Sequence, residues 1–301
     1  MPVRIGEEIE FESGGTRCRG WFSRPSGSEG ARPCVVLGHG LGLTAQSGLC
    51  RVAEELTREG YCTLVFDYRS FGASEGEPRQ LISFRGQLED WASAIAWVRA
   101  RPSVDPQRLA TWGFSLGGGH AVRAAARDGN ISAVVAVVPM FSGTSSTFAA
   151  MRWWSPVNLL TLATHGLLDL VASALRRRPV LVPLSAPPGD LGLLTSPHAY
   201  TGYQAIVPSG FDFLTAARIA LYFFTYAPGR SLGALRAPAL VMPSSRDKVC
   251  PPGPILKRAQ RCAHVEVVEL SCEHMDALVD PARRQVIDTT LGFLHRHLPI
   301  H

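Results

Sequence analysis

Residues 111–120 read "TWGFSLGGGH" and set one hydroxyl, Ser115, between Gly113 and Gly117 directly after an apolar run. A serine hydroxyl becomes a useful nucleophile only when a histidine takes its proton. A carboxylate must then fix the imidazole tautomer and stabilise its charged form. The chain supplies both in the order serine, acid, histidine: Asp247 in "SSRDKVCPP" and His274 in "SCEHMD". Each follows an apolar run, "APALVM" or "HVEVVEL", and so falls at a carboxyl end, where open α/β sheets gather their ligands. The chemistry open to this set is nucleophilic catalysis by an activated serine.

Gly-x-Ser-x-Gly alone is weak evidence in a chain with 29 glycines. Its position between the strand-like "RLATW" and a helical stretch gives it meaning, because a sharp strand-to-helix turn lifts the hydroxyl above a sheet. Other histidines are poorer bases. His120 follows Ser115 on the same helix and points along or away from the turn. His165 and His198 fall in an insertion, and His264, His295, His297 and His301 have no strand-end position. Asp67 also ends a strand, but it precedes the serine and is expected to hold the loop "YRSFGASEG" by hydrogen bonds. The tetrahedral intermediate needs two preset backbone N–H donors. Leu116, after the nucleophile, supplies one, and Leu41 in "GHGLG" is expected to supply the other, with His39 bracing that loop.

The elements that must position these groups are legible as a rhythm. "IEFES" and "RCRGWFS" flank Gly14-Gly15 as an edge hairpin. Continuous apolar strands then alternate with helical stretches: "CVVLGHG", "YCTLVFDY", "RLATWGFS" and "ISAVVAVVPMF". This is the pattern of a mostly parallel sheet with helices on both faces. The rhythm fails from 143 to 232 and resumes at "APALVM". The expected organisation is a core of 1–142 and 233–301 interrupted by a mainly helical cap at 143–232. The cap holds eleven of the 25 aromatic residues. Trp153, Trp154, Tyr203 and Phe223 are read from it as lining an apolar pocket roof, with Arg152 a candidate contact for a substrate carboxylate or phosphate. The apolar stretch Pro156 to Leu175, interrupted by Asn158, His165, Gly166 and Asp169, is expected to be a buried or pocket-lining helix, with no stable membrane insertion.

Composition narrows the class further. Net charge is +5, but the basic residues are scattered, with one tight run at Arg176, Arg177 and Arg178, so nucleic acid is not an expected partner. Seven cysteines without CxxC pairs fit neither a disulfide framework nor a zinc site, and no metal is expected. Together with an N-terminus lacking a basic start and apolar core, they point to a cytoplasmic protein. A homodimer is left open.

These residues carry a resemblance. "HGLG", "DYRSFGASEG", "GFSLGG", "RDKVCPP" and "EHMD" stand in the order of the α/β-hydrolase family, and the chain resembles it over residues 5–298. "FDFLTAARIALYFFTYAPGR" before "APALVM" is similar to capped dienelactone-hydrolase-like members and to bacterial thioesterase or polyketide-transferase-like ones. Ser70 stands where such relatives usually carry glycine. The resemblance implies an eight-stranded α/β-hydrolase fold, an ester, thioester or amide substrate, an acyl-serine intermediate and no cofactor. The reading is a serine hydrolase for an ester or thioester of a hydrophobic acyl group. An acyl transferase or lyase-like enzyme using the same triad is the alternative, and a non-catalytic binding protein is disfavoured because all three triad residues are present.

Overall fold

The computed structural model describes residues 6–27 and 30–300; the first five residues of the N-terminal segment read for a leader, and His301, lie outside them. The first two segments pair as β1 (Glu7–Ser13) and β2 (Thr16–Ser23), antiparallel and in continuous register. Gly14 and Gly15 turn the hairpin at φ of 56° and 77°, the left-handed values a two-residue loop requires. Then come β3 (Arg32–Gly38), α1 (Leu49–Arg58), β4 (Cys62–Phe66), α2 (Phe84–Arg99), β5 (Val104–Phe114), α3 (Leu116–Asp128) and β6 (Ala133–Val137).

Between β6 and the next strand of the large sheet lie α4 (Gly143–Met151), α5 (Pro156–Ala174), β7 (Leu181–Pro183), α6 (Pro197–Ile206), β8 (Leu214–Ala216) and α7 (Ile219–Tyr222). β7 and β8 form a small antiparallel sheet of their own. The chain returns through β9 (Ala239–Met242), α8 (Pro252–Ala259), β10 (Val265–Val267) and α9 (Ala282–His297). The large sheet has eight strands in the order β1-β2-β4-β3-β5-β6-β9-β10 and is parallel from β4 onward. β4, β6 and β9 are buried at every position, because helices cover both faces. This packing explains their unbroken apolar sequences, each fully buried Val or Leu contributing about 1.5–3 kcal/mol. The sheet thereby presents β5, β9 and β10 side by side or separated by one strand, with their carboxyl ends at one edge.

One expectation is corrected. α5 is neither buried nor pocket-lining: Val157 is 71% and Leu160 69% exposed, and few of its residues are covered. Its inward face carries Asn158, Leu162, Gly166 and Asp169, while most leucines face outward. Apolar composition marks a helix as needing cover but does not say which face the rest of the chain supplies it to. Here the inward polar groups are satisfied: Asp169 accepts from Arg218 Nε at 2.6 Å and from the Val180 N–H at 2.9 Å.

Candidate active site

Phe114 ends β5 and Leu116 begins α3, so Ser115 alone makes the turn, at φ 57° and ψ −120°. A side chain in this region is strained and persists only where its surroundings fix it. The Ser115 N–H donates to Val137 O at 2.9 Å, and its carbonyl accepts from Gly118, Gly119 and Met140 at 2.9–3.2 Å. The neighbouring glycines answer to close packing rather than flexibility. A Cβ at Gly113 would lie 2.0 Å from Gly117 O, and one at Gly117 would lie 2.3 Å from Gly38 O.

Three side chains from three strand ends meet above this turn. His274 Nε2 is 2.8 Å from Ser115 Oγ, and His274 Nδ1 is 2.6 Å from Asp247 Oδ2. The other carboxylate oxygen of Asp247 accepts from the N–H groups of Val249 and Cys250 at 2.8 and 2.7 Å. Asp247 therefore accepts the Nδ1 proton, which leaves Nε2 as the acceptor facing the serine hydroxyl. All three residues are buried. Ser244, fully buried and absent from the sequence reading, ties the acid loop to the histidine loop: its Oγ accepts from Cys272 N at 3.1 Å and donates to Cys272 O at 2.5 Å.

The rejected candidates occupy other roles. His120 Nε2 donates to Gln87 Oε1 at 2.9 Å, and its Nδ1 accepts from Tyr226 Oη at 2.6 Å. Burial pushes its imidazole down to about 3. His39 donates from Nδ1 to Gly40 O at 3.0 Å within its own loop, and burial lowers it to about 4. Asp67 accepts from Ala45 N and Ala73 N at 2.6 and 2.8 Å, fastening two loops, and burial raises its carboxyl to about 6. Ser70 adopts φ 70°, the left-handed conformation that glycine takes without cost.

A cleft of about 570 Å³, counted with its opening to solvent, leads to Ser115. Leu41 and Leu116 both line it, and Leu116, as the first residue of α3, carries an N–H with no intrahelical acceptor. Trp154 and Phe223 line it too, with Met140, Leu193, Ile219 and Val249; no lining residue carries a charge. Trp153 and Tyr203 do not line it. Tyr203 is buried and donates from Oη to Leu41 O at 2.9 Å, and Arg152 is exposed. Composition marks all four aromatic residues as pocket candidates, whereas the direction of each ring depends on its helix's docking.

Most lining residues of the cleft escaped sequence reading. Ser146 and Cys250 line it close to Ser115, with Ser146 Oγ 3.7 Å from Cys250 Sγ. The spacing of Cys250, three residues after Asp247 on the same loop, was the available signal. Asp247, Cys250 and His274 offer ligand atoms within 4.8 Å of one another. Burial holds the Cys250 thiol well above its ordinary range, Asp247 and His274 are hydrogen-bonded to each other, and His274 is bonded in turn to Ser115. A metal there would have to displace that chain.

A strained serine on a strand–helix turn, within a mostly parallel eight-stranded sheet, defines the class as an α/β-hydrolase. Residues 22–178 match the family described as X-Pro dipeptidyl-peptidase (S15 family), and the chain belongs to that family of α/β-hydrolases. It is 39% identical over 295 residues to the quorum-quenching protein AidA of Acinetobacter baumannii, covering 97% of this chain and 95% of the relative. It is 25% identical over 307 residues to the polyketide transferase af380 of Aspergillus fumigatus, covering 97% and 98%. In fold it is similar to the crystal structure of the α/β-hydrolase GrgF from a Penicillium species, with a TM-score of 0.79, 23% identity and coverage of 97% and 98%.

Proposed function

We propose that the protein is a serine hydrolase that cleaves an ester or thioester of a hydrophobic acyl group. The observation that carries the reading is the hydrogen-bonded chain from Ser115 Oγ through His274 to Asp247 at 2.8 and 2.6 Å. In this reading His274 Nε2 takes the serine proton as Oγ bonds to the acyl carbon. The oxyanion is held by the N–H groups of Leu41 and Leu116. His274 then returns the proton to the departing alcohol or thiol oxygen or sulfur, leaving the acyl group on Ser115. Water, deprotonated by the same imidazole, attacks the acyl-serine, and His274 gives that proton to Ser115 Oγ as the acid is released. Asp247 stays ionised throughout and stabilises the imidazolium. The chemistry needs no cofactor.

The lining of the cleft supports this substrate class. It has no carboxylate to hold the free amino terminus that a dipeptidyl-peptidase substrate presents, and its apolar lining favours an uncharged acyl chain. The residues from 143 to 232 supply Trp154, Ile219 and Phe223 to its lining, and in this reading they form a cap.

A second reading, acyl transfer to an acceptor other than water, is favoured by the apolar lining of the cleft and by the polyketide transferase named above. Product analysis with a panel of acyl esters and thioesters, with and without added alcohol or amine acceptors, tests both. Free acid as the sole product supports hydrolysis, and a dominant acyl-acceptor adduct supports transfer. Turnover retained in Ser115→Ala would overturn both.

A further inference from the structure

α5 presents an outward face that nothing among the described residues covers. Val157, Leu160, Leu167, Leu168, Val171 and Leu175 are all more than half exposed and follow one another around a single side of the helix and its first residue beyond. No charged side chain interrupts that face. The helix ends in Arg176, Arg177 and Arg178, all exposed and without an ion pair among the described residues. Arg152, before its start, is exposed as well. Over residues 143–192 the acidic groups are Asp169, which is buried against Arg218, and the exposed Asp190.

We propose that this face of α5, with its arginine end, docks the protein on an anionic lipid surface. Charge chooses the occupant. A second copy meeting this face through its own would bring into one interface two helices that each end in three exposed arginines without an ion pair among the described residues. An anionic membrane supplies what the patch lacks, acyl chains for the leucines and phosphates for the guanidinium groups. The helix lies on the surface and does not cross it. At 19 residues it is about 28 Å long, enough to span. However, Asp169 is bound to Arg218, and Gly166 lets the helix approach Leu221 so closely that a Cβ there would be 2.7 Å away. Both contacts pin α5 along the segment that carries Ile219 and Phe223 of the cleft, so docking sets the membrane beside the roof of the apolar site.

The test is flotation of the full chain with vesicles of phosphatidylcholine alone and of phosphatidylcholine mixed with phosphatidylglycerol. Binding is expected only with the mixed vesicles and should weaken with added salt. Replacing Arg176, Arg177 and Arg178 by Gln should reduce binding on the order of 100-fold. A second variant, Leu160→Ser/Leu167→Ser/Val171→Ser, should abolish it while hydrolysis of a small soluble ester is unchanged. Equal binding to both vesicle types, or to neither, overturns the proposal. A wild-type dimer by light scattering that the serine variant dissolves, without vesicle binding, assigns the face to a second copy instead.

Discussion

Tyr203 of α6 donates its phenolic hydrogen to the carbonyl of Leu41 at 2.9 Å, tying the loop after β3 to a helix that lies outside the large sheet. Leu41 lines the cleft beside Ser115, and this bond anchors the peptide that follows it, so it steadies from one side the residue whose own N–H is proposed as an oxyanion donor. Tyr203→Phe keeps the buried ring but leaves the Leu41 carbonyl without its donor. We expect kcat to fall about tenfold with KM little changed, since a loosened donor acts mainly in the transition state. Stability should drop by roughly 1–3 kcal/mol. A proportional loss in kcat and rise in KM would assign Tyr203 to substrate contact.

Ser115→Ala, Asp247→Asn and His274→Ala should each lower kcat, by more than about 10³-fold for the serine and histidine changes. The double variants should be no worse than Ser115→Ala, because the three groups act as a unit. Fluorophosphonate labelling should vanish in Ser115→Ala. Additive losses in the doubles, or labelling that survives, would separate Ser115 from the other two.

Trp154 Nε1 and Thr147 Oγ1 are buried in the cleft lining with no hydrogen-bond partner. An acyl chain that brings an acceptor atom to them relieves a desolvation penalty of about 1–3 kcal/mol. kcat/KM is expected to rise with acyl length, each buried methylene contributing about 0.8 kcal/mol, and to rise further for chains bearing an oxygen within reach. Trp154→Phe should erase the second gain and keep much of the first. Acetyl esters emerging as the best substrates would rule this pocket assignment out.

His39 and His120 are neutral in the fold down to about pH 4 and about pH 3, where burial has pushed them. Unfolded, they protonate near pH ~6.5. Below that value the unfolded chain therefore binds more protons, and the stability held at higher pH is lost as pH falls. Asp67 works in the opposite sense. Its carboxyl is raised to about 6, so the folded state takes up its proton first and gains stability as pH falls through that range. Two histidines outweigh one carboxylate, and the melting temperature should decline from about pH 6.5 towards pH 4. His120→Gln should flatten that decline, measured by circular dichroism, even if it lowers stability at neutral pH. An unchanged slope would show that His120 is not the titrating group.

The three side chains that meet at the strand ends were legible because the sequence signal of each is local. A nucleophile between two glycines at a strand-to-helix turn, and an acid and a histidine each just past an apolar strand, are set by the short-range geometry of each loop. The βα rhythm was legible for the same reason, since strands covered on both faces have no polar alternation to hide them.

By itself the sequence determined the order of the elements, the parallel sheet and the three groups that meet at the carboxyl ends of β5, β9 and β10. Only the tertiary structure decided that Tyr203 braces Leu41 while Trp154 lines the cleft, that Ser244 couples the acid and histidine loops, and that the leucines of α5 face outward. The physical reason is one of range. Residue type and spacing fix what a turn or strand does along the chain, but the direction of a ring or an apolar helix face depends on which distant surface docks against it.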